Sequence, residues 1–225
     1  MNVRSHAFVA ALGTIYCVQA AVAQGAHPWP DSFVGRLEVL ALIEQLNGAI
    51  LASHSATATL ESWCADHRIA VPARITANLD RGTNTPATPA DRLALQVSPN
   101  EPVGYRHVRL ACGGHVLSEA DNWYVPSRLT PEMNRQLENT DIPFGKVVES
   151  LRAVRQTLAV DRLWSPLPEN WDRRARRNVE SSGPTSRLPI PAYLFRHRAI
   201  LFDVSRRPIA EVVETYTSEA LNYPR

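Results

Sequence analysis

Arg106 is where the chemistry of this sequence stands out of place. In the stretch Tyr105-Arg106-His107-Val108-Arg109-Leu110-Ala111-Cys112, read with the period of two of a β-strand, Arg106 shares a face with Val108, Leu110 and Cys112. That face is the apolar one, so the guanidinium points inward. An isolated cation facing a core costs several kcal/mol unless an anion meets it. A guanidinium fork suits a carboxylate, gripped by two parallel hydrogen bonds, and that carboxylate belongs either to a side chain or to a ligand. Near the C-terminus, Glu214 shares a strand face with Ala210, Val212 and Tyr216, although Ile209, Val213 and Thr215 make the other face nearly as apolar. One reading is a buried bridge between Arg106 and Glu214. The other is that the two charges flank a polar ligand with a carboxylate and a hydroxyl. Pattern alone leaves them level.

The elements that must position these groups follow from the apolar spacing. Residues 32–51, with Leu37, Leu40, Ile43, Leu46 and Ile50, predict an amphipathic helix. A break at Ser53 leads to a second helix with Ser55 as its N-cap. Ile69 to Ala77 reads as β, Asp80 to Pro89 as a polar loop, and Asp91 to Leu95 as a short helical piece. The Arg106 strand, a turn at Gly113-Gly114 and a return strand from Val116 to Val125 form an antiparallel hairpin. On the return strand, Glu119 and Asp121 share the face of Trp123, as a solvated face or as partners for Arg109. Thr130-Pro131-Glu132 starts a helix with cap, proline and acid in order. The turn Ile142-Pro143-Phe144-Gly145 leads into a predicted helix through Val147, Leu151, Val154 and Leu158. Trp164 to Arg187, with the basic run Arg173-Arg174-Ala175-Arg176-Arg177, reads as a long surface loop. A second hairpin runs from Tyr193 to Val204, turns at Ser205-Arg206-Arg207 and returns from Pro208 to Tyr216.

The chain has 225 residues, 44% of them hydrophobic, enough for one sizeable core. With 24 Lys+Arg against 22 Asp+Glu it lacks the basic field that non-specific nucleic-acid binding needs. Arg4, the apolar run from Ala7 to Ile15, and Ala21-Val22-Ala23 predict a secretory signal over residues 1–23, cleaved before Gln24. Residues 24–225 are then a single domain, periplasmic or secreted, with no stable membrane insertion and no cue to association, hence an expected monomer. Cys64 and Cys112 remain in the mature chain; two buried thiols are the favoured reading over a disulfide.

Four stretches in order resemble the chorismate pyruvate-lyases. Arg106-His107-Val108-Arg109-Leu110 with Cys112 is similar to the family strand that opens on arginine and ends near a cysteine. Pro143-Phe144-Gly145 resembles the family's Pro-Leu-Gly turn, and Arg207-Pro208 with Val213-Glu214 its closing hairpin. Ser55-Ala56-Thr57 resembles the Ser-Met-Thr that opens an early helix. Together these cover roughly residues 44 to 220.

The resemblance implies an α+β fold, an antiparallel sheet with helices packed over it, and an internal pocket that works without metal or cofactor. It implies a lyase that removes pyruvate from chorismate to leave 4-hydroxybenzoate. Arg106 and the backbone N–H of Phe144 would hold the ring carboxylate. Ala56 would line the ligand, and Glu214 would meet the oxygen at the far end and assist as an acid. It tilts the reading of Arg106 toward a ligand. Ala56 replaces the family methionine, Asn122 stands where a second arginine falls, and a signal peptide is foreign to a cytoplasmic family. The same fold resembles the effector-sensing domains of some bacterial regulators, so a periplasmic binder of aromatic carboxylates is the alternative. No helix-turn-helix is expected before residue 50.

Overall fold

A computed structural model describes residues 29–173 and 186–224. The segment read as a signal lies outside them, as does most of the basic run after Arg173. The chain opens with α1 (Phe33–Ala52), capped by Ser32, whose side chain accepts from the Gly35 N–H. Its buried stripe is Val39, Ile43, Leu46 and Ile50, while Leu37 and Leu40 are only half-buried. A second helix, α2 (Ala56–Asp66), starts at the predicted cap, Ser55, which accepts from the Ala58 N–H. The strand expected from Ile69 begins later, as β1 (Ile75–Asp80), because Pro72 cannot donate to a ladder. Next come the short α3 (Pro89–Ala94), the hairpin β2 (Gly104–Cys112) and β3 (His115–Tyr124), and α4 (Pro131–Asn139).

The predicted helix from Val147 to Leu158 is a correction. Helix α5 covers only Phe144–Val147, a 3-10 turn follows at Glu149–Leu151, and Arg152 at φ 49° stops the helical path. The chain then extends as β4 (Val154–Arg162). Its β-branched Val154, Thr157 and Val160 favour a strand. The second hairpin, β5 (Tyr193–Phe202) and β6 (Pro208–Thr217), stands where it was expected.

All six strands join one antiparallel sheet in the order β1-β2-β3-β6-β5-β4. This is the α+β architecture expected. The inner face carries two apolar clusters: Val108, Leu110, Ala120, Phe195 and Tyr216 pack with α1 and α2, while Leu201, Ala210 and Val212 pack with Leu137, Phe144 and Val148. On the outer face Trp123 and Val125 pack against Leu95, and Trp123 Nε1 donates to the Thr85 carbonyl at 2.8 Å. Glu119 and Asp121 lie on that face, accepting from the hydroxyls of Tyr193 and Tyr105. The two cysteines are not separate thiols. Cys64 on α2 is bonded to Cys112 at the end of β2, with Cα atoms 6.5 Å apart. The bridge ties α2 to the sheet. No helix among the described residues is long and apolar enough to cross a membrane.

Candidate functional site

The seam between the two clusters holds a cavity of about 300 Å³. Its floor is the sheet, through Val108, Leu110, Ala120, Asn122, Val212 and Leu201. Its roof is the start of α2 (Ala56, Thr57) with Phe144 and Gly145 of α5. The two helix starts meet closely: a Cβ on Gly145 would lie 3.2 Å from Thr57 Oγ1 and 3.3 Å from Ser55 Oγ. At the rim, Lys146 Nζ pairs with Glu61 at 2.5 Å, and Glu61 also accepts from the Ile75 N–H. Arg152 and Glu149 complete the rim.

Glu214 lies in the cavity wall, as its strand face predicts, but its partner is not Arg106. Arg155 on β4 donates from Nη2 to Glu214 Oε2 at 2.5 Å and from Nη1 to Thr157 Oγ1 at 2.5 Å. The Tyr216 hydroxyl donates to the same Oε2 at 3.1 Å. Burial is the largest influence on the Arg155 pKa and pulls it down, but the attraction of Glu214, that of Tyr216 and the hydrogen bond to Glu214 together leave it raised. Burial, reinforced by Glu214, pushes the Tyr216 phenol well up. Beneath the pair, His197 bonds through Nε2 to Asn47 Oδ1 of α1 at 2.7 Å, and its Nδ1 is buried without a partner. Burial, then Arg155, lowers the His197 pKa to about 4, against the opposing pull of Glu214. The bridge reading of Arg106 and Glu214 is thereby corrected: β4 brings in a competing guanidinium.

Arg106 points inward and is 3% exposed. Its Nη2 donates to the carbonyls of Thr140 and Ile142, each at 3.2 Å, while Nε and Nη1 are buried without partners. Among the described residues no carboxylate pairs with it, and burial lowers its pKa to about 10. It stands beside the cavity rather than in its lining: Asn122, its cross-strand neighbour, lines the space, as do Ala56, Phe144 and Glu214. Four of the five residues singled out in sequence thus share one cavity, with the fifth behind its wall.

Arg155, Thr157 and His197 were missed. Arg155 and Thr157 lay in the segment read as a helix; read as a strand, Val154-Arg155-Gln156-Thr157 places both on one face. His197 carries the same period-two signal, since it pairs with Glu214 across the hairpin.

Fold and site together define an α+β domain with a cavity of small-molecule size. The chain is 46% identical over 217 residues to the uncharacterized protein y4mC of Sinorhizobium fredii (strain NBRC 101917 / NGR234), covering 96% of this chain and 90% of that protein. It belongs to the family of y4mC. No protein-family model matches it. Among solved structures it is similar to the effector domain of PhnF from Mycobacterium smegmatis, with TM-score 0.46 and 13% identity over 74% of this chain and 90% of that one. A GntR-family transcriptional regulator from Bacillus cereus gives TM-score 0.39 and 10% identity, over 67% and 96%. For the possible transcriptional regulator YydK from Bacillus subtilis the values are 0.39 and 16%, and the chain spans 62% of its length.

Proposed function

We propose that the cavity takes a small ring carboxylate of the chorismate and 4-hydroxybenzoate class, and that the protein eliminates pyruvate from chorismate or a close analogue. The observation that supports the ligand is Arg106: beside the cavity stands a buried guanidinium with two unpartnered nitrogens and, among the described residues, no carboxylate against it. A cavity of about 300 Å³ suits a single ring. Strands β2 and β6 are two spacings apart, about 10 Å, so a ring between them has its carboxylate toward Arg106 and Phe144 and its far oxygen toward Glu214. Loss of the C4 hydrogen and of the enolpyruvyl group aromatises the ring, so holding the substrate at both ends is most of the catalytic task.

A second reading is a binding protein that converts nothing. Glu214 favours it, because the hydrogen bonds it receives from Arg155 and Tyr216 engage the carboxylate as an acceptor rather than as an acid. Residues 24–225 incubated with chorismate decide between them. Equal appearance of 4-hydroxybenzoate and pyruvate supports the lyase; silence with a raised melting temperature in 4-hydroxybenzoate supports the binder; neither response removes both. Export belongs to the same proposal, supported by the disulfide, a bond that persists outside the reducing cytoplasm. N-terminal sequencing should start near Gln24, and an intact Met1 in the cytoplasm would remove it.

A further inference from the structure

Of the two carboxylate oxygens of Glu214, one is taken and one is open. Oε2 receives both Arg155 and the Tyr216 hydroxyl. Oε1 receives no donor among the described residues, yet it is not one of the buried atoms left without a partner, so it is reached from the cavity that Glu214 lines. Arg155 is itself fixed: its other terminal nitrogen is on Thr157, and its side chain is 3% exposed. The carboxylate therefore cannot swing away. A carboxylate clamped on a guanidinium offers only lone pairs, so the group it meets in the cavity must bring the hydrogen. The clamp also cancels the charge of Glu214, so a ligand anion elsewhere in the cavity meets no net repulsion from this wall.

Resting on the ring-carboxylate reading above, we infer that Arg155 is a specificity-determining residue: by holding Glu214 as a fixed acceptor it selects ring carboxylates with an O–H or N–H donor opposite the carboxylate. Such buried pairs are replaceable by apolar side chains where only packing is at stake. This one occupies the wall of a cavity, with Arg155 Nε left unsatisfied. Of the basic residues lining the cavity, Arg155 is the one hydrogen-bonded to Glu214.

Calorimetric titration of the full, oxidised chain with 4-hydroxybenzoate, 4-aminobenzoate, 4-methylbenzoate and 4-methoxybenzoate tests this, since all four share the carboxylate. The two donors should bind tighter than the two non-donors by about tenfold or more, the worth of one hydrogen bond to a charged group. Arg155→Met should flatten the series, and Arg155→Lys, which keeps the charge without the fork, should retain part of the preference. Glu214→Gln, whose amide both donates and accepts, should raise the relative affinity for the methoxy compound and supplies the test should Arg155→Met not fold. Equal binding of all four by the wild type overturns the inference and leaves the ring-carboxylate reading standing. Unchanged selectivity in Arg155→Met overturns the role of Arg155. Binding of none of the four removes the ring-carboxylate reading, and the inference with it.

Discussion

Replacing Arg106 with methionine separates a ligand grip from a structural bridge. Burial lowers the guanidinium pKa from its ordinary value to about 10, a fall that amounts to roughly 3 kcal/mol against the charged form. Against this stand two hydrogen bonds to the carbonyls of Thr140 and Ile142, worth about 1 kcal/mol each. A methionine of similar reach removes both contributions and keeps most of the packing. The unliganded Arg106→Met protein should therefore lie within about 1 kcal/mol of wild type, on the stable side, a rise in Tm of about 2–4 °C for a domain of this size. The same substitution should abolish the rise in Tm expected from 4-hydroxybenzoate in the wild type. Thermal melts with and without the ligand read both quantities. Destabilisation by about 3–5 kcal/mol, the cost of breaking a compensated buried charge, with the ligand response intact, would refute the reasoning and make Arg106 structural.

Three further outcomes are expected. His197, fully buried, has its pKa lowered from 6.5 to about 4, so below pH 6.5 the unfolded chain takes a proton that the folded one does not. Stability is whole above that pH and falls toward pH 4 by up to about 3 kcal/mol; urea midpoints at about pH 7 and about pH 4.5 should differ less in His197→Gln. Cys64 and Cys112 close a loop with a sequence separation of 48. Opening it by Cys64→Ala with Cys112→Ala should cost about 4 kcal/mol, read by urea unfolding, and an unchanged midpoint would refute the staple. Gly145→Ala places a Cβ 3.2 Å from Thr57 Oγ1, so the α5 start must shift by a few tenths of an ångström. Ligand affinity should drop several-fold with little change in Tm.

The parts of the fold that were legible in sequence are those where one face meets a core. Arg106 sits in a strand with one clearly apolar face, so its inward direction followed from period two; Glu214, between two nearly equally apolar faces, was less sharply marked, and Ser55 and Thr130 marked helix starts by the hydrogen bonds such side chains make there. Strand β4 was illegible for the converse reason. It is an edge strand, exposed along most of its length, so no buried face imposes alternation, and Val147, Leu151, Val154 and Leu158 fit a helical stripe equally well. The stop at Arg152 depends on a left-handed backbone that no residue type announces there. The disulfide was hidden because it depends on how α2 docks on the sheet, a tertiary distance with no local signature.

That single missed strand changes the chemistry of the site more than the fold. With Arg106 and Glu214 as the only two inward charges read from the sequence, each would satisfy the other, and a bridge is as good an account as a ligand. Once β4 supplies Arg155, the anion is taken and the count no longer balances. Arg155 cancels Glu214, Lys146 cancels Glu61, and Arg106 is left as a buried cation held by two backbone carbonyls, with no carboxylate against it among the described residues. Burying such a charge is costly; a ligand that brings one negative charge to it recovers that cost on binding. On the proposed reading, the ligand brings a monoanion to the Arg106 end and a neutral donor to the Glu214 end. On that reading, a second carboxylate meets, among the described lining residues, the rim cations Arg152 and Lys146, each beside an acidic residue, so a dianion such as chorismate would be met there by a solvent-screened charge rather than by the buried one.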